Sequence, residues 1–355
     1  MKKAALIILS LFILLCSCTP YEADKNTNTQ KRLITGVWIS CYELNTMLDT
    51  GDFKKEFDAA AEKIHRLHIT DAFVHVRAFG ESLFDSEYYP RNEKTKQYDF
   101  DVLEYMIKVL KGKNIRMHAW INPFRLPDGS FSDPADETVR ANIILGIREI
   151  LNKYDVDGIH FDDYFYPSDG KFSDEKSYSD YQKSGKDALS LSEYRTANIN
   201  ALVFSAKSAI KHMNPDLVFS ISPAADMEKN KNQAFADIPY WCESGAVDLI
   251  MPQLYFGFDY PDDNFKFEKL LNEWRKIPRA EGVKIVIGLA SYKLGTDTAP
   301  DTDEWKNGTD VLAREINKCK EFSDISGICF FSYSSLFAGD KLHTEALSAI
   351  KRELV

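Results

Sequence analysis

The sequence has little positive charge to offer. Its 44 Lys and Arg are outnumbered by 54 Asp and Glu, a net charge of −10. Without the N-terminal Lys2 and Lys3 the balance is −12 (−10 − 2). Nucleic-acid binding needs a basic surface, so the deficit argues against a DNA or RNA partner and suits a neutral ligand better. Cysteine is scarce as well: of six in the chain, the four beyond the N-terminal segment are Cys41, Cys242, Cys319 and Cys329. No CxxC spacing points to zinc or a redox pair, and apolar burial of the four is the expectation. HxH and HExxH spacings are absent. No linker-like break follows Arg32, so the roughly 320 residues from Leu33 read as one domain.

No apolar run is long enough to span a bilayer comfortably. The N-terminal AALIILSLFILL follows the basic MKK and has the make-up of a secretion signal. Leu15, Cys16, Ser17 and Cys18 resemble the bacterial lipobox, in which the fourth residue is lipidated and becomes the new N-terminus. The resemblance implies a signal peptide over 1–17, a lipid anchor at Cys18 and a location on the outside of a bacterial membrane. The polar stretch to Arg32 lacks any periodic apolar pattern, so 18–32 is expected to be the lipidated Cys and a flexible tether.

What is present from Leu33 onward is a repeat of short β-rich runs. They begin at LITGVWIS (Leu33), DAFVHVRA (Asp71), IRMHAWINP (Ile115), DGIHFDDY (Asp157), LVFSISP (Leu217), DLIMPQLY (Asp248), KIVIGLA (Lys284) and SGICFFSY (Ser326). Between them lie stretches of helical period, such as Phe53, Phe57, Ala60, Ile64 and Leu67. Strand then helix eight times over predicts an α/β fold, a (β/α)8 TIM barrel over 33–355. The fourth unit carries extra residues between Asp163 and Leu189, including Tyr164, Tyr166, Tyr178 and Tyr181, and reads either as a substrate wall or lid or as a solvated insertion.

Strand side chains alternate between faces, so each run splits into an inward and an outward set. His75 and Arg77 separate from Val74 and Val76; His118, Trp120 and Asn122 from Met117, Ala119 and Ile121; His160 and Asp162 from Ile159 and Phe161. Ser220 and Ser222 on the fifth strand and Gln253 and Tyr255 on the sixth join the polar set. A barrel interior held only for stability is filled with Val, Ile and Leu, so polar groups at five strand ends predict a site at the C-terminal mouth.

Carboxylates, amides and aromatic rings in one cleft point to carbohydrate recognition and glycosidic cleavage. Trp38, Trp120, Tyr255, Tyr292 and Tyr333 offer flat faces to sugar rings; Arg77 is expected to hold Asp162 ionised, as a nucleophile or an electrostatic stabiliser. The second carboxyl is open among Asp163, Glu43 after the first strand and Asp259 after the sixth. Two alternatives stand: a metal-dependent hydrolase or deacetylase built on His75, His118 and His160, and a non-catalytic glycan-binding barrel. No motif implies a cofactor.

Six ordered blocks, GVWIS at Gly36, HAWINPFR at His118, DGIHFDDYFYP at Asp157, SEYRTANIN at Ser192, SISPAA at Ser220 and DLIMPQLYF at Asp248, resemble the family-10-like glycosyl hydrolases of bacterial envelope proteins. The resemblance implies a glycoside hydrolase acting on an envelope polysaccharide, peptidoglycan first, with Asp162 and Asp163 on the family's fourth-strand motif. The same run is similar to the DxxDxDxE motif of chitinase-type barrels. Here His160 replaces the second acid and Tyr164 the final Glu, so the substrate-assisted chitinase mechanism does not carry over.

Overall fold

The computed structural model describes residues 33–167, 172–185, 189–297 and 302–355. The expected signal peptide, Cys18 and the tether lie outside them. Eight parallel strands run in sequence order: β1 (Ile34–Ile39), β2 (Asp71–Ala78), β3 (Arg116–Ile121), β4 (Gly158–Phe161), β5 (Val218–Ile221), β6 (Leu249–Ile250), β7 (Lys284–Leu289) and β8 (Ile325–Phe330). β1 pairs with β2 on one side and β8 on the other, closing the barrel. A two-residue strand, Glu81–Ser82, folds back antiparallel on β2.

The helices form because apolar residues recur on one face and an acidic or hydroxyl residue stands at the start. Phe53–Arg66 buries Phe53, Phe57, Ala60, Ala61 and Ile64, and the Asp52 carboxylate accepts from Lys55 N. Asp101, Asp136, Ser190 and Asp340 cap the helices that follow β2, β3, β4 and β8 in the same way. These helices cover the outward strand residues, Val74, Val76, Met117, Ala119, Ile159 and Phe161 among them, in one continuous apolar layer. Complete burial of such side chains is worth about 1.5–3 kcal/mol each. That gain fixes which face of every strand points out, and therefore which points in.

The interior is a separate, smaller cluster containing Trp38, Phe73, Trp120, Met251, Val286 and Cys329. Rings of this size fit an eight-stranded barrel only because small residues stand beside them. A Cβ on Gly36 would lie 2.7 Å from Cys329 Sγ and 3.0 Å from the Phe73 ring; on Gly158 it would meet Val218 O at 2.3 Å and His118 Nδ1 at 2.7 Å. The four body cysteines are free and buried.

After β4 the enlarged loop carries the helix Glu175–Lys183. Asp174 is buried in a two-point ion pair with Arg195, at 2.7 and 2.6 Å, which fastens the loop to the helix Leu191–Met213.

Candidate active site

The C-terminal mouth of the barrel opens into a cleft of about 260 Å³. Asp162 and Asp163 both line it, although neighbours on a strand point to opposite faces. The reason is local: β4 ends at Phe161, and the chain bends at Asp163, where Phe165 N bonds back to Asp163 O at 3.0 Å. Beyond the ladder the alternation no longer applies.

Asp162 is buried. Its Oδ2 accepts from Trp120 Nε1 and from Asn122 Nδ2, each at 2.9 Å, and its Oδ1 from Tyr164 N at 3.3 Å. Burial, together with the charge of Asp163, nevertheless pushes its pKa up to about 7; the three hydrogen bonds offset only part of that. Burial raises the Asp163 carboxyl too, but a hydrogen bond from Gln253 and the charges of Lys229 and Arg125 pull it back. Of the two adjacent carboxyls, Asp162 therefore holds its proton up to about neutrality.

Arg77 does not hold Asp162 ionised, as its place on β2 led us to expect. Its Nη1 donates to the carbonyls of Asn122 and Pro123, the latter at 2.8 Å, and its guanidinium lies 4.4 Å from the Tyr89 ring centre. It therefore shapes the turn after β3 from behind the cleft.

The histidines are absorbed by the barrel interior. Trp38 Nε1 donates to His160 Nε2 at 3.0 Å; since an indole N–H only donates, the His160 proton sits on Nδ1 and goes to Ser220 Oγ at 2.8 Å. Ser222 Oγ approaches the same Nε2 at 3.1 Å. His160 thereby joins three strands, β1, β4 and β5, beneath the cleft without lining it. His75 does line the cleft, stacked on Trp120 at 3.9 Å, yet both ring nitrogens are buried without a partner and burial drives its pKa down to about 3. His118 lies at the opposite end of the barrel, where its Nε2 meets Asp71 Oδ1 at 2.8 Å. Among the described residues no group of three His, Cys, Asp or Glu is arranged to hold a metal ion.

Three further expectations are displaced. Glu43 is buried away from the cleft: Oε2 accepts from Ser40 N at 2.6 Å, and Oε1 from Ser332 Oγ at 2.6 Å and Ser334 N at 2.5 Å. Asp259 is exposed and lines neither the cleft nor the cavity beside it. Tyr333 begins the short helix Tyr333–Leu336 and packs on Phe337, 5.3 Å between ring centres, in the outer core. Tyr178 and Tyr181 pack on Tyr194, whereas Tyr164 does line the cleft.

Trp38, Asn122, Ser222, Gln253, Tyr255 and Tyr292 stand in the cleft as expected from strand alternation. Ser40, Cys41, Tyr42, Phe79, Arg125 and Phe331 line it too, and sequence reasoning passed over them. Phe331 continues the inward Cys329 of β8, and Arg125 ends the HAWINPFR block, so both were within reach. Tyr42 and Phe79 lie beyond strand ends, where no periodicity marks them. Tyr255, Tyr292 and Phe331 form an aromatic group with ring centres 5.7 to 6.0 Å apart. Tyr42, Tyr164 and Tyr292 keep 66%, 42% and 42% of their surface exposed, enough to present ring faces to a sugar.

The sequence model of the glycosyl hydrolase-like 10 family matches residues 126–307. The chain belongs to that family. The matched region contains Asp162, Asp163, Tyr164, Ser222, Gln253, Tyr255 and Tyr292. Among curated relatives, Glycosyl hydrolase YngK of Bacillus subtilis (strain 168) is 25% identical, over 93% of this chain and 72% of its own. Glycosyl hydrolase DigH of Escherichia coli (strain K12) is 23% identical, over 92% and 91%. The glycoside hydrolase domain of PgaB (BpsB) from Bordetella bronchiseptica shares the fold with a TM-score of 0.61 at 10% identity, over 88% of this chain and 98% of that domain. This glycosyl hydrolase-like 10 chain is thus a glycoside hydrolase-like TIM barrel.

Proposed function

We propose that the protein is a glycoside hydrolase that cuts glycosidic bonds in a bacterial envelope polysaccharide, with peptidoglycan glycan strands as the first substrate. The observation that carries the proposal is the convergence of Asp162 and Asp163 on one cleft, with the Asp162 carboxyl raised to about 7 by burial and by its neighbour's charge. Asp162, the deeper carboxyl, holds the proton and passes it to the leaving glycosidic oxygen. Asp163, offset by Gln253, Lys229 and Arg125, is the anion that faces the positive charge developing at the anomeric carbon. Exposed rings of Tyr42, Tyr164 and Tyr292 hold the sugars on either side.

The anchor belongs to the same proposal. With Cys18 lipidated, the protein would be held within reach of the cell envelope. That reach suits wall polymer better than free sugar. Incubating the protein with purified wall glycan strands, chitin oligosaccharides and a plant polysaccharide, then resolving products by mass, tests the reading. Fragments from wall strands are expected. Cleavage confined to the plant polymer would remove the wall assignment, and binding without any cleavage would make the molecule a glycan-binding barrel.

A further inference from the structure

Next to the cleft lies a second cavity of about 270 Å³, which shares Arg125, Asp163 and Tyr164 with it and is completed by Tyr166, Lys229 and Gln233 among others. Its charge runs against that of the whole chain: two cations face one carboxylate in a protein of net charge −10. Cations elsewhere in the body are largely spent on carboxylates, as Arg195 is on Asp174, Lys207 on Asp248 and Arg275 on Asp324. Among the described residues neither Arg125 nor Lys229 has an ion-pair partner within 4.0 Å.

Arg125 is nonetheless held in place. Its guanidinium carbon lies 4.3 Å from the Tyr164 ring centre and 4.7 Å from that of Phe79, and its backbone N–H bonds to Asn122 Oδ1 at 2.9 Å. Two aromatic faces fix the plane of the group and leave its fork of N–H donors without an acceptor among the described residues, the arrangement that receives a carboxylate in a two-point contact. A neutral sugar would leave the cavity with an excess positive charge. A ligand carboxylate would balance it, two cations against Asp163 and the ligand.

We propose that this cavity is a subsite for a carboxylate-bearing sugar of the glycan, its carboxylate seated between Arg125 and Lys229 beside the bond that Asp162 and Asp163 address. The inference rests on the glycan-hydrolase reading and narrows its substrate to acidic glycans. The carboxylate can be borne on a lactyl ether or on the sugar ring itself, and the test separates the two. N-acetylglucosaminyl-N-acetylmuramic acid, a glucuronic acid disaccharide and the methyl ester of each are titrated into the protein by calorimetry at pH 7 and low salt.

At least one acid is expected to bind about tenfold or more tightly than its own ester, with the preference shrinking as salt is added. The acid that shows the preference identifies the carboxylate's position. Lys229→Gln and Arg125→Gln should each reduce the preference for acid over ester. Equal affinity for acid and ester in both pairs, absence of binding by either acid, or a preference that survives both substitutions overturns the subsite. Because binding is read at equilibrium, failure to cleave any glycan counts against the proposed activity without altering this result.

Discussion

Trp120 serves packing and chemistry with two parts of one side chain. Its ring stacks on His75 inside the barrel, and its indole N–H goes to Asp162. A Trp120→Phe change keeps most of the ring and removes the donor, which favoured the ionised carboxyl. The Asp162 pKa should then rise, and the alkaline limb of the kcat/KM profile, expected near pH 7, should move up by about one unit. A hydrogen bond to a charged group is worth about 1.5–3 kcal/mol, and one pKa unit is 1.36 kcal/mol. A limb that stays in place would mean that another group titrates. Asp162 also sets a stability prediction with a definite sign. Its pKa is raised from 3.8 to about 7 in the folded state, so between those values the native protein holds a proton that the unfolded chain has released. Stability from this group is therefore full at low pH and falls as pH rises through that window. Relative to wild type, Asp162→Asn should gain melting temperature between pH 5 and pH 8, by an amount equivalent to a few kcal/mol at most. A difference that does not change with pH would contradict the raised pKa.

At the scale of elements, the end of β1 is tied to the end of β8 by Glu43, whose Oε2 takes Ser40 N on its own side while Oε1 takes two donors, Ser332 Oγ and Ser334 N, across the barrel seam. Glu43→Ala should lower unfolding free energy by roughly 2–4 kcal/mol in denaturant melts, because buried donors lose their acceptor. Near-native stability with abolished turnover would instead return Glu43 to the chemistry. Strands were legible in the sequence because burial selects the outward face so strongly: all eight starts and the inward set from His75 to Gln253 follow from alternation. Alternation specifies a face, however, and says nothing of height along the barrel axis. His118 shares its face with Trp120 and Asn122 yet sits at the far end on Asp71. Tyr333 misled for a related reason, since β8 stops at Phe330, Phe331 takes the last inward position, and a helix begins at Tyr333 itself. The same early stop at Phe161 placed Asp163 in the cleft, where period-two reasoning had pointed it away.

Across the whole molecule, the barrel separates its polar interior into two ends with different tasks. At the N-terminal end Asp71 is enclosed by Thr70, Arg116 and His118, a closed network that joins neighbouring strands. At the C-terminal end the carboxyls of Asp162 and Asp163 meet open space, aromatic faces, Arg125 and Lys229. In the proposed mechanism Asp162 carries the proton and Asp163 the negative charge. The most direct test compares wild type, Asp162→Asn and Asp163→Asn on the preferred glycan and on an aryl glycoside of the same sugar, whose leaving group departs without protonation. General-acid catalysis contributes about 10²–10⁴-fold. Asp162→Asn should therefore lose about that much kcat/KM on the glycan and far less on the aryl glycoside, while Asp163→Asn should lose heavily on both. Near wild-type turnover of the glycan by either variant, or equal losses by Asp162→Asn on the two substrates, would contradict the assignment.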